Sequence, residues 1–378
     1  MENLSIFNIN GFQEKKSEHQ VSVQNEGSPA ELIDAGSENP ELIRRRFPPV
    51  PGELVEFIRS CQRFIIAGHK EPDGDCVGSQ LALRSALIRL GKEAIVCSAG
   101  PFNRTELKKY KEHFSENSVE ELIRENNWTD GIRVIIVDCS NIDRIGDIDK
   151  SIKNFPLAVI DHHASRYYPP STPESPVYVD SDAPSCTILI HKLITALGLK
   201  MTKEEATWLL FGLCTDTGFF RHLTEKNSDV FEAAAKMIRY GASPKKVFRI
   251  TNGGKSLESR ILMGRILSRA EIFFNGKFLV SYETLDDNNS FGLKNRDSDH
   301  LYLMLMSIEG VEAAVIIRQE CVDNCTVSLR SIDKVNVSQI ASSFGGGGHK
   351  NAAGLTMKGD ISIVKQKMLE SFKNIFNC

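Results

Sequence analysis

Four apolar runs in the first two-thirds of the chain each lead into a carboxylate or an imidazole, and this shared ending restricts the fold more than any other feature. They are residues 64–75 (FIIAGHKEPDGD), 134–138 (VIIVD), 158–165 (AVIDHHAS) and 209–216 (LLFGLCTD). Runs without polar alternation read as elements covered on both faces, the pattern of a parallel sheet flanked by helices. In such sheets functional groups collect at the carboxyl ends of the strands. Several core elements are therefore expected to end at one place, carrying His69, Asp73, Asp75, Asp138, His162 and Asp216 with them.

The rest of the chain fits that frame. Strand-like segments at 63–67, 93–98, 133–138 and 157–161 alternate with helical ones at 74–90, 185–198, 204–213, 227–239 and 243–250. A chain of 378 residues exceeds what one core usually serves, so a second domain is expected. Gly253 and Gly254 mark a hinge. The expected division is an N-terminal arm at 1–45, rich in Glu, Asn, Ser and Gln and without apolar periodicity; a parallel-sheet domain at 46–250; and a smaller α/β domain at 251–378. The expected fold class is therefore α/β, with a cleft between the two domains.

Charge and cysteine usage narrow the function. A formal net charge of -3 excludes a whole-chain basic surface for long duplexes, and the arginine triplet 44–46 reads as a solvated linker. Nine scattered cysteines, with no basic and apolar leader before them, suit reduced thiols in a cytoplasm. Cys321 and Cys325 lack the second pair that a zinc site needs. No stretch is apolar for long enough to cross a bilayer, so a soluble protein without a membrane partner is expected.

Taken singly, His69 reads as a hydrogen-bonded histidine, Asp73 and Asp75 as helix caps, and Asp138 or Asp216 as a paired carboxylate. Taken together they leave too much polar burial unexplained unless a cation is present. The spacing lets His69 and Asp73 hold one cation while Asp75 turns to another, with Asp138 bridging and His162 and Asp216 completing the second site. Oxygen ligands mixed with imidazole suit Mn²⁺ best, with Mg²⁺, Co²⁺ or Fe²⁺ as further candidates. In the second domain Gly345, Gly346, Gly347 and Gly348 precede His349, a backbone able to approach a phosphate beside a switchable donor. Arg318 and Arg330 stand at strand ends where a guanidinium can grip phosphate oxygens or form an ion pair. Arg144 and Arg221 are weaker candidates of the same kind.

These stretches resemble the four motifs of the DHH phosphoesterase family, the triplet being Asp161, His162 and His163; GGGGHKNAAG at 345–354 resembles the glycine-rich signature of the DHH-associated C-terminal domain. The similarity covers roughly residues 50–378. It implies a first cation on His69, Asp73 and Asp138, and a second on Asp75, Asp138, His162 and Asp216. It also implies Asp161 as the partner that orients an imidazole, His163 facing the scissile phosphate, and His349, Arg318 and the Ser328 to Arg330 segment holding the substrate's terminal phosphate or base. The branch resembled degrades short single-stranded oligoribonucleotides to mononucleotides and dephosphorylates 3′-phosphoadenosine 5′-phosphate to AMP. A phosphodiesterase of linear or cyclic dinucleotides such as pApA and c-di-AMP is the alternative, and a nucleotide sensor without turnover a more distant one. A family II inorganic pyrophosphatase shares the metal motifs, but the loop before His349 argues against it. A homodimer is compatible with the sequence, which does not select it.

Overall fold

The structure is a computed structural model that describes residues 48–139, 141–146, 152, 154–163, 172–332 and 334–376. The arm expected at 1–45 and the arginine triplet lie outside the described residues. The first sheet is built from β1 (Arg63–Ala67), β2 (Glu93–Cys97), β3 (Ile132–Val137), β4 (Leu157–Asp161) and β5 (Val177–Val179). Its order is β2-β1-β3-β4-β5, with every pairing parallel. Alternate side chains feed two separate cores. Phe64, Ile66, Ile135, Val137, Ala158 and Ile160 pack in one layer, and Ile65, Ala67, Val134, Ile136 and Leu157 in the other. Both faces being covered is why these strands read as continuous apolar runs.

The helix entering from β1, α2 (Gly74–Arg89, after α1 at Gly52–Arg59), is buried at every residue from Gly74 to Leu83. Such a helix has no solvent face and needs partners all round. After α3 (Val119–Glu125), two of them are α4 (Cys186–Ala196) and α5 (Lys203–Asp216). Glycines allow the close approach. A Cβ on Gly78 would lie 2.5 Å from the Trp208 carbonyl, and one on Gly212 would lie 2.9 Å from the Asp75 Cα. Helices α6 (Ser228–Arg239) and α7 (Pro244–Asn252) close this half.

The chain turns at Gly253 and Gly254, the latter at φ +72°, and continues through α8 (Leu257–Ser268) into the second sheet. This sheet contains β6 (Glu271–Phe273), β7 (Phe278–Glu283), β8 (Ala313–Cys321), β9 (Asn324–Ser331), β10 (Gly347–His349) and β11 (Ala352–Lys358), in the order β10-β11-β9-β8-β7-β6. Only β7 and β8 pair in parallel. Helices α9 (Leu285–Phe291), α10 (Ser298–Met306), α11 (Val337–Ser343) and α12 (Ile361–Lys373) flank it, with Phe278 stacked on Phe372 at 4.0 Å. No described helix is long and apolar enough to cross a membrane.

In the first domain every strand and helix expected from the sequence lies within three residues of its observed bounds, and β5 and α3 were not foreseen there; α9, β10 and β11 were not foreseen in the second. β5, α3, α9 and β10 are too short to show a period, and β11, seven residues long, opens on two alanines and a glycine that hide its alternation. The glycine-rich segment, expected as a loop, is half strand: Gly347 pairs with Gly354 and His349 with Ala352.

Candidate metal centre

Each element delivers its polar residue just past its last apolar one. Asp73 caps α2, its Oδ1 accepting the backbone N–H groups of Asp75 and Cys76 at 3.0 Å each. The capping role open to any Asp at this position is thus real, yet the same oxygen lies 3.9 Å from His69 Nε2. Asp138 follows β3 in a left-handed conformation, φ +58°, which Asp tolerates better than most residues. Its side chain is 1% exposed and reaches His69 Nε2 at 3.5 Å through one oxygen and His162 Nε2 at 3.3 Å through the other. Asp216 ends α5 with Oδ2 3.2 Å from His162 Nε2. Asp75 Oδ2 is 3.6 Å from the same nitrogen. All six residues therefore meet at the carboxyl edge of the first sheet.

Both inward-facing imidazoles are turned by a backbone carbonyl. His69 Nδ1 donates to the Lys70 carbonyl at 2.8 Å and His162 Nδ1 to the Ala183 carbonyl at 3.2 Å, so each Nε2 is turned toward the carboxylates. Asp161 is fully buried. Its Oδ1 accepts the backbone N–H of His162 at 2.8 Å and of His163 at 3.1 Å, and the His163 Nδ1–H at 2.8 Å. His163 is thereby aimed from the edge of the cluster, its side chain 41% exposed.

The sequence offered no signal for two contacts that hold the site. Asp75 accepts backbone N–H groups from Cys186 and Thr187, the opening residues of α4, so a helix N-terminus lies against a buried carboxylate. The Ala183 carbonyl that turns His162 belongs to the loop before the same helix.

The electrostatics are those of a site short of positive charge. Burial raises the Asp75 carboxyl well above its usual range, and the negative charges of Asp138 and Asp216 add to that. Asp216 is raised by burial too, against the downward pull of His162 at 3.2 Å, and the charges of Asp73 and Asp138 add to the rise. Burial works against ionising Asp138, but the close approach and positive charge of His162 and His69 outweigh it and bring that carboxyl down to about 2. His162 answers in the opposite sense. Burial lowers it, while Asp138, Asp216 and Asp75 push it up to about 12. Asp138 Oδ1 and His162 Nε2 are buried without a well-formed hydrogen bond, although they face each other. Clustered carboxylates, imidazole nitrogens aimed inward and orphaned polar atoms fit divalent cations, which would supply the missing charge. Cys76 adjoins His69 and Asp138, but burial holds its thiol well above the usual range and hence protonated.

In the second sheet Arg318 is 5% exposed, with Nε 3.3 Å from buried Glu283, Nη1 donating to Ser328 Oγ and Nη2 to Ser298 Oγ, both at 2.9 Å. Of the two roles open to Arg318 in the sequence, the structure displays the ion pair. Arg330 lies over the Tyr302 ring at 4.8 Å. His349 is exposed on the edge strand. Gly346 and Gly348 have no room for a side chain against β11, whereas Gly345 and Gly347 face open space.

A parallel α/β sheet with clustered carboxylates and imidazoles at its carboxyl edge defines a framework suited to divalent cations. The chain matches the DHH family, N-terminal domain, over residues 63–213, and the DHHA1 domain over 275–377. It is 32% identical over 314 residues to the bifunctional oligoribonuclease and PAP phosphatase NrnA of Thermus thermophilus, covering 82% of this chain and 88% of that protein. The chain belongs to the DHH family. It is also 25% identical over 343 residues to the cyclic-di-AMP phosphodiesterase PdeA of Listeria monocytogenes, of which it covers half. The crystal structure of an exopolyphosphatase-related protein from Bacteroides fragilis has the same fold, with a TM-score of 0.71 at 23% identity over 86% of this chain and 96% of that one.

Proposed function

We propose that this chain hydrolyses short oligoribonucleotides to mononucleotides and 3′-phosphoadenosine 5′-phosphate to AMP. The observation that carries the reading is the meeting of four carboxylates and two inward-facing imidazoles beside a third, exposed imidazole. The NrnA relative, matched over 88% of its length, supports the substrate class. PdeA favours the cyclic dinucleotide less, being half matched and less similar.

In this reading His69, Asp73 and Asp138 hold one cation and Asp75, Asp138, His162 and Asp216 the other, with Mn²⁺ as the ion that suits the donor set. Such a pair lowers the pKa of water and neutralises charge on phosphoryl oxygens. The protein's own groups do the positioning. Asp161 accepts a hydrogen bond from the His163 Nδ1–H, fixes the ring and leaves Nε2 to face the phosphoryl group. Asp138, through its left-handed backbone, sets the spacing between the two halves of the centre. Residues 251–378 act as the substrate-holding domain, where His349, Arg330 and the open backbone at Gly345 and Gly347 take the terminal phosphate or base. Arg318 supports Ser328 there.

The test is a paired incubation with Mn²⁺, following mononucleotide release from a 5′-phosphorylated diribonucleotide and phosphate release from 3′-phosphoadenosine 5′-phosphate. Both are expected. Cleavage of a cyclic dinucleotide or pyrophosphate with neither of these would overturn the substrate assignment and leave the metal centre standing.

A further inference from the structure

A cleft of about 610 Å³ is walled in part by Cys214 and Thr215, the two residues that precede Asp216 in α5. The chain leaves α5 through three consecutive left-handed residues, Gly218 at φ +55°, Phe219 at +59° and Phe220 at +70°. Only the first is a glycine, and the conformation is unfavourable for a phenylalanine. It is held by the Phe219 N–H donating to the Cys214 carbonyl at 2.8 Å and the Phe220 N–H to Thr217 Oγ1 at 3.0 Å. The strained turn gives two neighbouring rings, themselves edge-on at 6.3 Å, different further partners. Phe220 packs on Phe231 at 5.2 Å, while Phe219 meets Phe248 edge-on at 5.1 Å and joins it in the cleft wall.

Phe248 is left 52% exposed, which leaves ring surface available to a flat apolar partner. Arg104 and Arg221 stand in the same wall, both exposed, and among the described residues neither is paired with a carboxylate; Arg221 Nε meets only His222 Nε2 at 3.2 Å. Glu106 and Asp299 share the lining, so the charge suits a single phosphate and disfavours a long polyanion. Aromatic faces interleaved with guanidinium groups are how single-stranded nucleic acid is held without regard to base identity.

We infer that this cleft is a nucleoside subsite. The Phe219–Phe248 pair takes the base on the 3′ side of the scissile phosphate, and Arg104 with Arg221 takes the phosphate that follows that nucleoside in a longer chain. The inference rests on the proposed function and deepens it. A nucleoside 3′,5′-bisphosphate has only the nucleoside whose 3′ oxygen departs. A dinucleotide carries a second nucleoside on the scissile phosphate, and that second nucleoside is what fills the cleft.

The test is steady-state kinetics of the full chain and of Phe248→Ala with pApA and with 3′-phosphoadenosine 5′-phosphate. The expected result is a rise of about tenfold in KM for pApA, with kcat and both constants for the bisphosphate moving less than twofold. Phe248→Trp restores the pApA value, which a loss of folding would not allow. Equal shifts for both substrates, or none for either, would overturn the subsite. A second readout does not need turnover: with Ca²⁺ in place of Mn²⁺, a dinucleotide carrying 2-aminopurine at its 3′ position is quenched by the wild-type chain and not by Phe248→Ala. Equal quenching by both chains, or by neither, rejects the inference. If the wild type cleaves neither substrate, the proposed function fails, and the quenching still decides the subsite by itself.

Discussion

Replacing Gly212 by alanine separates helix propensity from the packing that assembles the centre. In an open helix interior the change from glycine to alanine stabilises by about 0.5–1 kcal/mol. Gly264, inside α8 with nothing within 4 Å of its missing Cβ, is such a position, and Gly264→Ala is expected to gain about that amount. At Gly212 the added carbon would lie 2.6 Å from Thr187 Cγ2, 2.9 Å from the Asp75 Cα and 3.0 Å from Asp75 Oδ1. Thr187 can rotate, but the Asp75 Cα is backbone and moves only with α2. Reaching ordinary carbon contact at about 3.5–4.0 Å requires a displacement of roughly half an ångström or more. Overpacking of this kind costs about 1–3 kcal/mol, which cancels or exceeds the propensity gain. The displaced residue is Asp75, so the larger effect falls on the centre: metal affinity drops and turnover falls by about tenfold to a hundredfold. Urea melts of both variants, calorimetric Mn²⁺ titration and hydrolysis of pApA give the readout. A Gly212→Ala chain as stabilised as Gly264→Ala, with wild-type metal affinity, would refute the argument that close α2–α5 packing sets the ligand geometry.

Two further outcomes are expected. Asp138→Ala removes the carboxylate that faces both His69 and His162, so turnover should fall by at least about a thousandfold and the titrated metal stoichiometry should drop; full activity would exclude a bridging role. His191, 8% exposed, has its pKa pushed down to about 4 by burial and then by the charges of Lys236 and Lys192, so the unfolded chain binds one more proton than the folded one between about pH 6.5 and pH 4. Stability is therefore lost as pH falls through that window, at up to about 1.4 kcal/mol per pH unit from this group. His191→Gln should flatten the pH dependence of urea midpoints there, and parallel curves for the two proteins would count against a neutral buried imidazole.

The metal cluster and the first sheet were legible because their signals are local. A strand covered on both faces must be apolar along its whole length, and the first polar residue after it stands at the sheet's carboxyl edge. That rule alone brings Asp138 and the triplet at 161–163 to one edge, and the Asp73 cap with Gly74 after it announces the helix that carries Asp75. The second sheet was read less fully. The edge strand β10 is three residues long and its glycines have no side chains to alternate, and β11 beside it opens on two alanines and a glycine.

What the chain decides by itself is thus the order of ligand types and the class of sheet that presents them. Tertiary structure decided the rest, because those properties depend on residues far apart in sequence. The N-terminus of α4 meets Asp75 only after α2 and α4 have packed. Arg318 forms an ion pair because Glu283, on the neighbouring strand, is buried beside it. The cleft walled in part by Cys214 and Thr215 exists because a left-handed turn throws Phe219 toward a ring on α7. Periodicity along a chain reports which face of an element is buried, but it carries no record of which element buries it.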